Sequence, residues 1–390
     1  MRIGVVTHYW LPHRGGVEVV AHEQALRLAA RGHDVEVVTS AIGAPAGVED
    51  VRVGAGRVVV TRHGAWDGLG QRGVPWPVPG RRLVRAWRRL SERVDVLIVH
   101  GCTYAHSPVV VHASRRTRTP VLLLQHNPHV DYRPVLDLIE RAVDRTVGRW
   151  SLSRATAVAS VSRFTAAHVM QIAPRVGRHA IVHPGIDETW WRPPTSTERA
   201  SARERFGLTG TMVLTGRRVV PRNGVDLAID AWIEAGLDAA ATFVVVGDGP
   251  QREALEHRAE GHRVHFLGAV DDETVRAAYH AADVFVLPTR SGEGFGLAAA
   301  QAMAVGLPVV TTRGGAQEEV VLDGVTGEVV DPRAASLGAA LLHFVTDPAA
   351  RREAGSKGRS RVEELFTWER SVATLENRLM NLTNRVEWSE

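Results

Sequence analysis

Lysine is almost absent: of 47 Lys+Arg residues in a chain of 390, only Lys357 is lysine. That excludes a G-K-[ST] phosphate loop and leaves no internal lysine for a Schiff base. Any anion this chain binds must be held by arginines and backbone amides. The arginines do not amount to a large excess, because 43 Asp+Glu bring the formal net charge to +4. A protein that grips nucleic acid by its phosphates carries a larger imbalance, clustered on one face. Cysteine is scarcer still in effect: Cys102 stands alone, so no intrachain disulfide can form, which suits a reducing compartment. The opening run, MRIGVVTHYW, lacks the long apolar stretch and small-residue cleavage site of a signal peptide. No run reaches the roughly 18 apolar residues of a membrane span. The expectation is a soluble, cytoplasmic protein. There is also no Cys/His cluster with metal-ligand spacing and no D-x-D-like carboxylate pair in a loop; Asp271-Asp272 reads as a helix N-cap.

What is present is ordinary globular composition, 44% hydrophobic and 23% charged, over a length that predicts two or three domains. Short apolar, β-branched runs recur: Ile3–Thr7, Val35–Thr39, Val58–Thr61, Val96–His100, Val121–His126 and Thr156–Val161 in the first half. Met212–Thr215, Phe243–Val246, Val264–Leu267, Val284–Leu287 and Val309–Thr311 follow in the second. Runs this short and uniformly apolar predict parallel strands buried on both faces. Helical patterns lie between them, such as Gly16–Arg31, with Gly32 placed as a helix-ending glycine. Alternating strands and helices predict an α/β fold: two Rossmann-like, doubly wound parallel-sheet domains facing a central cleft. Prolines and small polar residues interrupt both periodicities after Val182, which places a linker at 188–198 between domains at 1–187 and 199–366. The remainder, 367–390, has no strand after it and reads as a terminal helix.

In open α/β sheets ligands bind beyond the carboxyl ends of strands, and four such ends carry unusual residues. The first run, His8-Tyr9-Trp10-Leu11-Pro12-His13-Arg14-Gly15-Gly16, leads into a helix whose free amides and dipole favour an anion. It is not G-x-G-x-x-G, which disfavours a dehydrogenase; a plain loop needing positive φ would look the same. The second run, Ser291-Gly292-Glu293-Gly294-Phe295-Gly296-Leu297, interleaves three glycines with a carboxylate: amides for phosphate oxygens, Glu293 for hydroxyls. In the third, Thr215-Gly216-Arg217-Arg218-Val219-Val220-Pro221-Arg222-Asn223-Gly224, arginines could fork onto a diphosphate or simply be solvated. In the fourth, Gln125-His126-Asn127-Pro128-His129, the proline ends the strand and leaves His126 at its tip, either as a structural hydrogen-bonder or in the active site. Separately, Arg81–Leu90 is a basic amphipathic helix, apolar at 83, 84, 87 and 90. It reads either as an ordinary helix docked by that stripe or as a contact for anionic lipid or an anionic acceptor.

Taken together these features resemble family 4 of the retaining glycosyltransferases, which have the GT-B fold, over nearly the whole chain. The marks are Gly15-Gly16-Val17-Glu18, Ala30-Arg31-Gly32-His33-Asp34 and His183-Pro184-Gly185-Ile186-Asp187. Val246-Gly247-Asp248-Gly249-Pro250, Phe266-Leu267-Gly268, Glu293-Gly294-Phe295-Gly296-Leu297, Gly306-Leu307-Pro308 and Gly314-Gly315 continue the series in order. The resemblance implies a nucleotide-sugar donor on the second domain, an acceptor on the first, and a terminal helix returning to the first. Gly15 and Gly16 would approach the donor phosphate. In the family's G-R-L-x-x-x-K-G segment, counted back from Gly224, Arg218 takes the arginine place and Asn223 the lysine place, with Arg222 left to supply the missing charge. Of the family's E-x7-E pair, Glu293 would face the donor sugar, while Gln301 replaces the glutamate at the ribose. Gly294, Phe295, Gly296 and Leu297 would line the donor site, and His126 matches a histidine near the transferred sugar.

The expected activity is therefore sugar transfer from a nucleoside diphosphate donor, UDP-sugar favoured, with retained configuration, without metal and without a cofactor. Glu293 and His126 are the candidate catalytic residues. Peripheral contact with the inner face of a membrane would run through 81–90, and no nucleic-acid partner is expected. Two other readings stay open: another GT-B enzyme such as a nucleotide-sugar epimerase, and a non-catalytic nucleotide-sugar-binding partner, motivated by Gln301 and Asn223.

Overall fold

Uniformly apolar strands have nowhere to go but the middle of a layered structure, and that is where the computed structural model places them. It describes residues 1–13, 15–68, 76–128, 134–207 and 209–384. Arg14 and His129, quoted above within strand-end runs, and 385–390 of the terminal segment lie outside the described residues. The chain divides into two units: one of the described residues up to 185 together with those from Trp368 onward, the other Ile186–Thr367.

The first unit holds β1 (Arg2–Val6), β2 (Asp34–Ser40), β3 (Gly47–Val53) and β4 (Gly56–His63). A two-stranded pair follows, β5 (Ala65–Trp66) and β6 (Val78–Pro79). Then come β7 (Val96–His100), β8 (Val121–Gln125), β9 (Ala157–Ser160) and β10 (Arg178–Ile181). The main sheet runs β10-β9-β8-β7-β1-β2-β4-β3. Its order reverses between β1 and β7, the place where an open α/β sheet leaves a crevice at its carboxyl edge. The central strands β7 and β8 are buried at every residue.

The second unit holds β11 (Thr211–Gly216), β12 (Ala241–Val246), β13 (Val264–Gly268), β14 (Val284–Leu287), β15 (Val309–Thr312) and β16 (Gly327–Val330). Its parallel sheet runs β13-β12-β11-β14-β15-β16 and reverses between β11 and β14. On one face the helix Val225–Glu234 packs Trp232, fully buried, against Phe243 of β12, ring centroids 5.5 Å apart.

Two features depart from the sequence expectation. The first sheet is not purely parallel: β3 pairs antiparallel with β4. Its sequence GVEDVRV is exposed along almost its whole length, so no apolar run announces it. Charge on such an edge protects against pairing with another chain. The edge strands β10 (RHAI) and β16 (GEVV) escape the same reading because an edge needs fewer apolar residues. The helix N-cap at Asp271 is as expected, its carboxylate accepting from the Thr274 amide at 2.7 Å.

The helix Trp368–Thr383 belongs to the first unit although it follows the whole of the second. Leu375 and Leu379 are fully buried, and Ser371 Oγ donates to the His183 carbonyl at 2.6 Å. Arg31, at the end of the helix Gly16–Ala30, forms ion pairs with Glu369 and Glu376. Among the described residues no helix is long and apolar enough to cross a membrane.

Candidate functional site

In the second unit the reversal between β11 and β14 brings two strand-end loops together. Gly224, at φ 68°, begins the helix Val225–Glu234, and a Cβ there would stand 1.8 Å from the Pro288 carbonyl oxygen. Only glycine permits that approach. The loops are bonded as well, since the Arg290 amide donates to the Arg222 carbonyl at 2.9 Å.

Arg217 sits where the loops meet. Its Nη1 donates to Thr289 Oγ1 at 2.9 Å, and its Nη2 donates to Glu293 Oε2 and to Asn223 Oδ1, both at 3.1 Å. The side chain is only 9% exposed, and its buried Nε has no partner among the described residues. Burial pulls the Arg217 guanidinium below its usual range; Glu293 opposes that shift and the nearby positive charge of Arg222 adds to it. A second positive charge, Arg222, thus lies near the Arg217–Glu293 pair.

The sequence assigned the clamping arginine to Arg218 by counting back from Gly224. The structure brings Arg217, not Arg218, to Glu293; the Arg218 side chain is exposed and makes no hydrogen bond among the described residues. The segment carries one residue more than the family spacing. Counting forward from Gly216, the last residue of β11, would have found Arg217. Asn223 has a defined job: besides accepting from Arg217, its Nδ2 donates to the Arg218 carbonyl at 2.8 Å.

Glu293 is 22% exposed on its side chain and accepts from the Gly296 amide at 3.0 Å through Oε1. That amide is thereby turned to the carboxylate, and Gly296, at φ 95°, starts the helix Leu297–Val305. Phe295 is buried, edge-on to Phe366. Gln301 lies half-buried on that helix and makes no hydrogen bond among the described residues.

In the first unit the crevice between β1 and β7 collects histidines. His126, just past β8, and His100, the last residue of β7, place Nε2 and Nδ1 2.8 Å apart. His106 Nε2 donates to the His100 carbonyl at 2.9 Å. His8, just past β1, stacks on Tyr104 with centroids 3.8 Å apart. Burial lowers all four imidazoles: His106 to about 4, His126 to about 3, and His8 and His100 well below the ordinary value, so they are neutral at pH 7. The sequence singled out His126; His8 and His100 stood only within quoted runs, while His106 was missed. The signal was that β1, β7 and β8 all end within two residues of a histidine.

Gly15 and Gly16 open the helix Gly16–Ala30 at the same edge. The φ of Gly15, −159°, is extended backbone, so glycine is there for space: a Cβ would stand 2.3 Å from Glu18 Oε2. Glu18 is 4% exposed, and burial raises its carboxyl to about 7. Its Oε1 lies 3.9 Å from His8 Nε2, beyond hydrogen-bond reach.

The helix Arg81–Leu90 buries Leu83, Trp87 and Leu90 against its own unit and exposes Arg81, Arg82, Arg85, Arg88 and Arg89. Its apolar stripe is spent on the core, and the arginines alone face outward.

Comparison with known proteins agrees with this architecture. Residues 14–190 match the description "Glycosyltransferase Family 4", and residues 209–347 match "Glycosyl transferases group 1". The D-inositol 3-phosphate glycosyltransferase of Geodermatophilus obscurus is 30% identical over 93% of this chain and 83% of that protein. The GDP-mannose-dependent alpha-(1-6)-phosphatidylinositol monomannoside mannosyltransferase of Mycobacterium tuberculosis is 28% identical over 96% and 97%. Among solved structures, Anabaena Alr3699/HepE in complex with UDP superposes with a TM-score of 0.78 at 20% identity, covering 98% of this chain and all of that one (100%). The chain belongs to family 4 of the glycosyltransferases, enzymes of GT-B fold and hexosyltransferase type.

Proposed function

We propose that this chain transfers a hexosyl group from a nucleoside diphosphate sugar to an acceptor hydroxyl, with retained anomeric configuration and without a metal ion. The carrying observation is Arg217: a nearly buried guanidinium shared among Glu293, Thr289 and Asn223, with Arg222 adding a second positive charge. Cleavage of the sugar–phosphate bond puts negative charge on the departing diphosphate, and fixed cations in a poorly solvated site stabilise it. Arg217 and Arg222 thus take the part a divalent ion plays elsewhere. Glu293, held by Arg217 and the Gly296 amide, orients the donor sugar. His126, neutral and paired with His100, offers a ring nitrogen to a sugar hydroxyl. Gly15 and Gly16 bring backbone amides to the phosphate, and Gln301 takes the ribose.

A UDP-sugar is the first donor to test, and GDP-mannose, named in one of the relatives, is the second. A thermal-shift panel of UDP, GDP and ADP with their sugars identifies the base, since a bound ligand raises apparent stability by mass action. NMR of the product then reads the anomeric configuration, and transfer in excess EDTA reads metal dependence. If Glu293→Ala and Arg217→Ala both transfer sugar at the parental rate, the assignment is wrong. Conversion of the donor without acceptor would make the protein an epimerase. Binding without turnover over an acceptor panel would make it a non-catalytic partner.

The exposed arginines of Arg81–Leu90 support a second, weaker contact, electrostatic attraction to an anionic membrane surface. Co-sedimentation with phosphatidylserine vesicles at low and high salt tests it.

A further inference from the structure

The loops past β7 and β8 hold His126 twice over, once by its backbone and once by its ring. Gln125 makes the first hold: its Oε1 accepts from the Cys102 amide at 2.9 Å, and its Nε2 donates to the Asn127 carbonyl at 2.8 Å. The Gly101 amide donates to the Leu124 carbonyl at 2.8 Å, with Gly101 at φ 86°, in the left-handed region that favours glycine. The chain on either side of His126 is thus fixed without the His100 side chain.

His100 makes the second hold. Its Nδ1 lies 2.8 Å from His126 Nε2, and the two rings are inclined by 24° with centroids 5.0 Å apart. The difference between those distances is about two ring radii, so the rings meet edge to edge, with lone pair and N–H in line. Burial keeps both imidazoles neutral at pH 7, so each carries one N–H and the contact between them has room for one proton. The far side of His100 decides whose proton it is. Its Nε2 is buried and has no partner among the described residues. If Nδ1 donates, that Nε2 is a bare lone pair; if Nδ1 accepts, Nε2 is an enclosed N–H with nothing to bond. Enclosed N–H groups without an acceptor are the rarer of the two in folded proteins.

The consequence falls on the other nitrogen of His126, because the hydrogen bond at one imidazole nitrogen sets the proton at its neighbour. His126 Nδ1 makes no hydrogen bond among the described residues, yet unlike His100 Nε2 it is not enclosed. We infer that His100 is a positioning residue: its Nδ1–H donates to His126 Nε2, which puts the His126 proton on Nδ1 and makes that nitrogen a hydrogen-bond donor to an oxygen of the transferred sugar. This rests on the transferase reading above and on the place it gives His126. With its proton on Nδ1, His126 orients the sugar by donating and takes no proton from the acceptor there.

NMR and kinetics on the full chain test this together. In protein labelled with nitrogen-15 histidine, proton–nitrogen correlations across the ring read the tautomer, and His126→Asn identifies the His126 signals. The parental chain shows the His126 proton on Nδ1. His100→Leu, which keeps bulk but offers no donor, loses that signature, and its kcat for transfer falls about tenfold, the range of one hydrogen bond. Its affinity for nucleoside diphosphate without sugar, read by calorimetry, is unchanged, because the contact is to the sugar. His100→Asn, whose Nδ2 stands where Nδ1 stood, restores the signature and brings kcat back to within about threefold of the parent. A proton on Nε2 of His126 in the parental chain reverses the bond and overturns the proposal. So does an equal loss in His100→Leu and His100→Asn when melting shows both to be folded, and so does an unchanged kcat in His100→Leu; all three leave the transferase reading standing. A parental chain that transfers no sugar from any donor sinks the transferase reading instead, even with the proton found on Nδ1, and with it the role given to His100.

Discussion

Asn223 holds Arg217: its Oδ1 accepts from the guanidinium at 3.1 Å while its Nδ2 ties the loop through the Arg218 carbonyl at 2.8 Å. The family's lysine would put a third cation here and remove that acceptor. In Asn223→Ala the arginine loses one of its three anchors. The expected cost is about 1 kcal/mol, a rise of roughly fivefold in donor KM with the acceptor KM unchanged. Steady-state kinetics against each substrate separates the two.

Neighbouring arginines should differ sharply. Arg217→Ala removes the buried cation and is expected to lower kcat/KM by about 10²- to 10³-fold, the range for losing one donor to a developing anion. Arg217→Lys should recover little, because an ammonium cannot serve Glu293, Thr289 and Asn223 in one plane. Arg218→Ala should stay within about threefold, as exposed charges contribute little. Equal losses at 217 and 218 would refute the placement.

Glu18 predicts an unusual pH dependence of stability. Its folded carboxyl titrates at about 7, against an ordinary value of 4.5. Between those values the folded state keeps a proton that the unfolded chain releases, so stability falls as pH rises through the window and levels off above it. Glu18→Gln should therefore melt several degrees higher than the parent at pH 8. Below pH 4.5, where both states hold the proton, the two should coincide. A constant difference at all pH values would point to packing instead.

Gln301→Glu tests the ribose contact. A carboxylate makes charge-assisted hydrogen bonds about twice as strong as an amide's. Nucleoside diphosphate should bind roughly three- to tenfold tighter at pH 7, read by calorimetry, with the 2′,3′-dideoxy nucleotide unaffected.

The parts of this protein that could be read from sequence are those where one physical requirement governs a continuous stretch. Strands β7 and β8 are buried on both faces, so every residue must be apolar and the run declares itself. The loop around Glu293 declares itself too, because a carboxylate among glycines at a strand end has few other uses. β3 was invisible for the opposite reason: an exposed edge strand is chosen for charge, and charge has no strand period. Arg217 was missed because spacing was counted back from Gly224 across a segment one residue longer than G-R-L-x-x-x-K-G, whereas the strand end fixes position from the other side. The cluster of His8, His100, His106 and His126 could not be assembled, since sheet order, not sequence order, makes β1, β7 and β8 neighbours.

The helix Trp368–Thr383 also constrains how the molecule is made. The first unit receives the fully buried Leu375 and Leu379 from a segment synthesised after all of Ile186–Thr367. Among the described residues unit two is one uninterrupted stretch, Ile186–Thr367, and can close its core while still tethered to the ribosome. Unit one, begun first, must wait with a gap in its packing until that helix emerges. The order of translation and the order of completion are thus inverted, and the early product is the part a chaperone would meet.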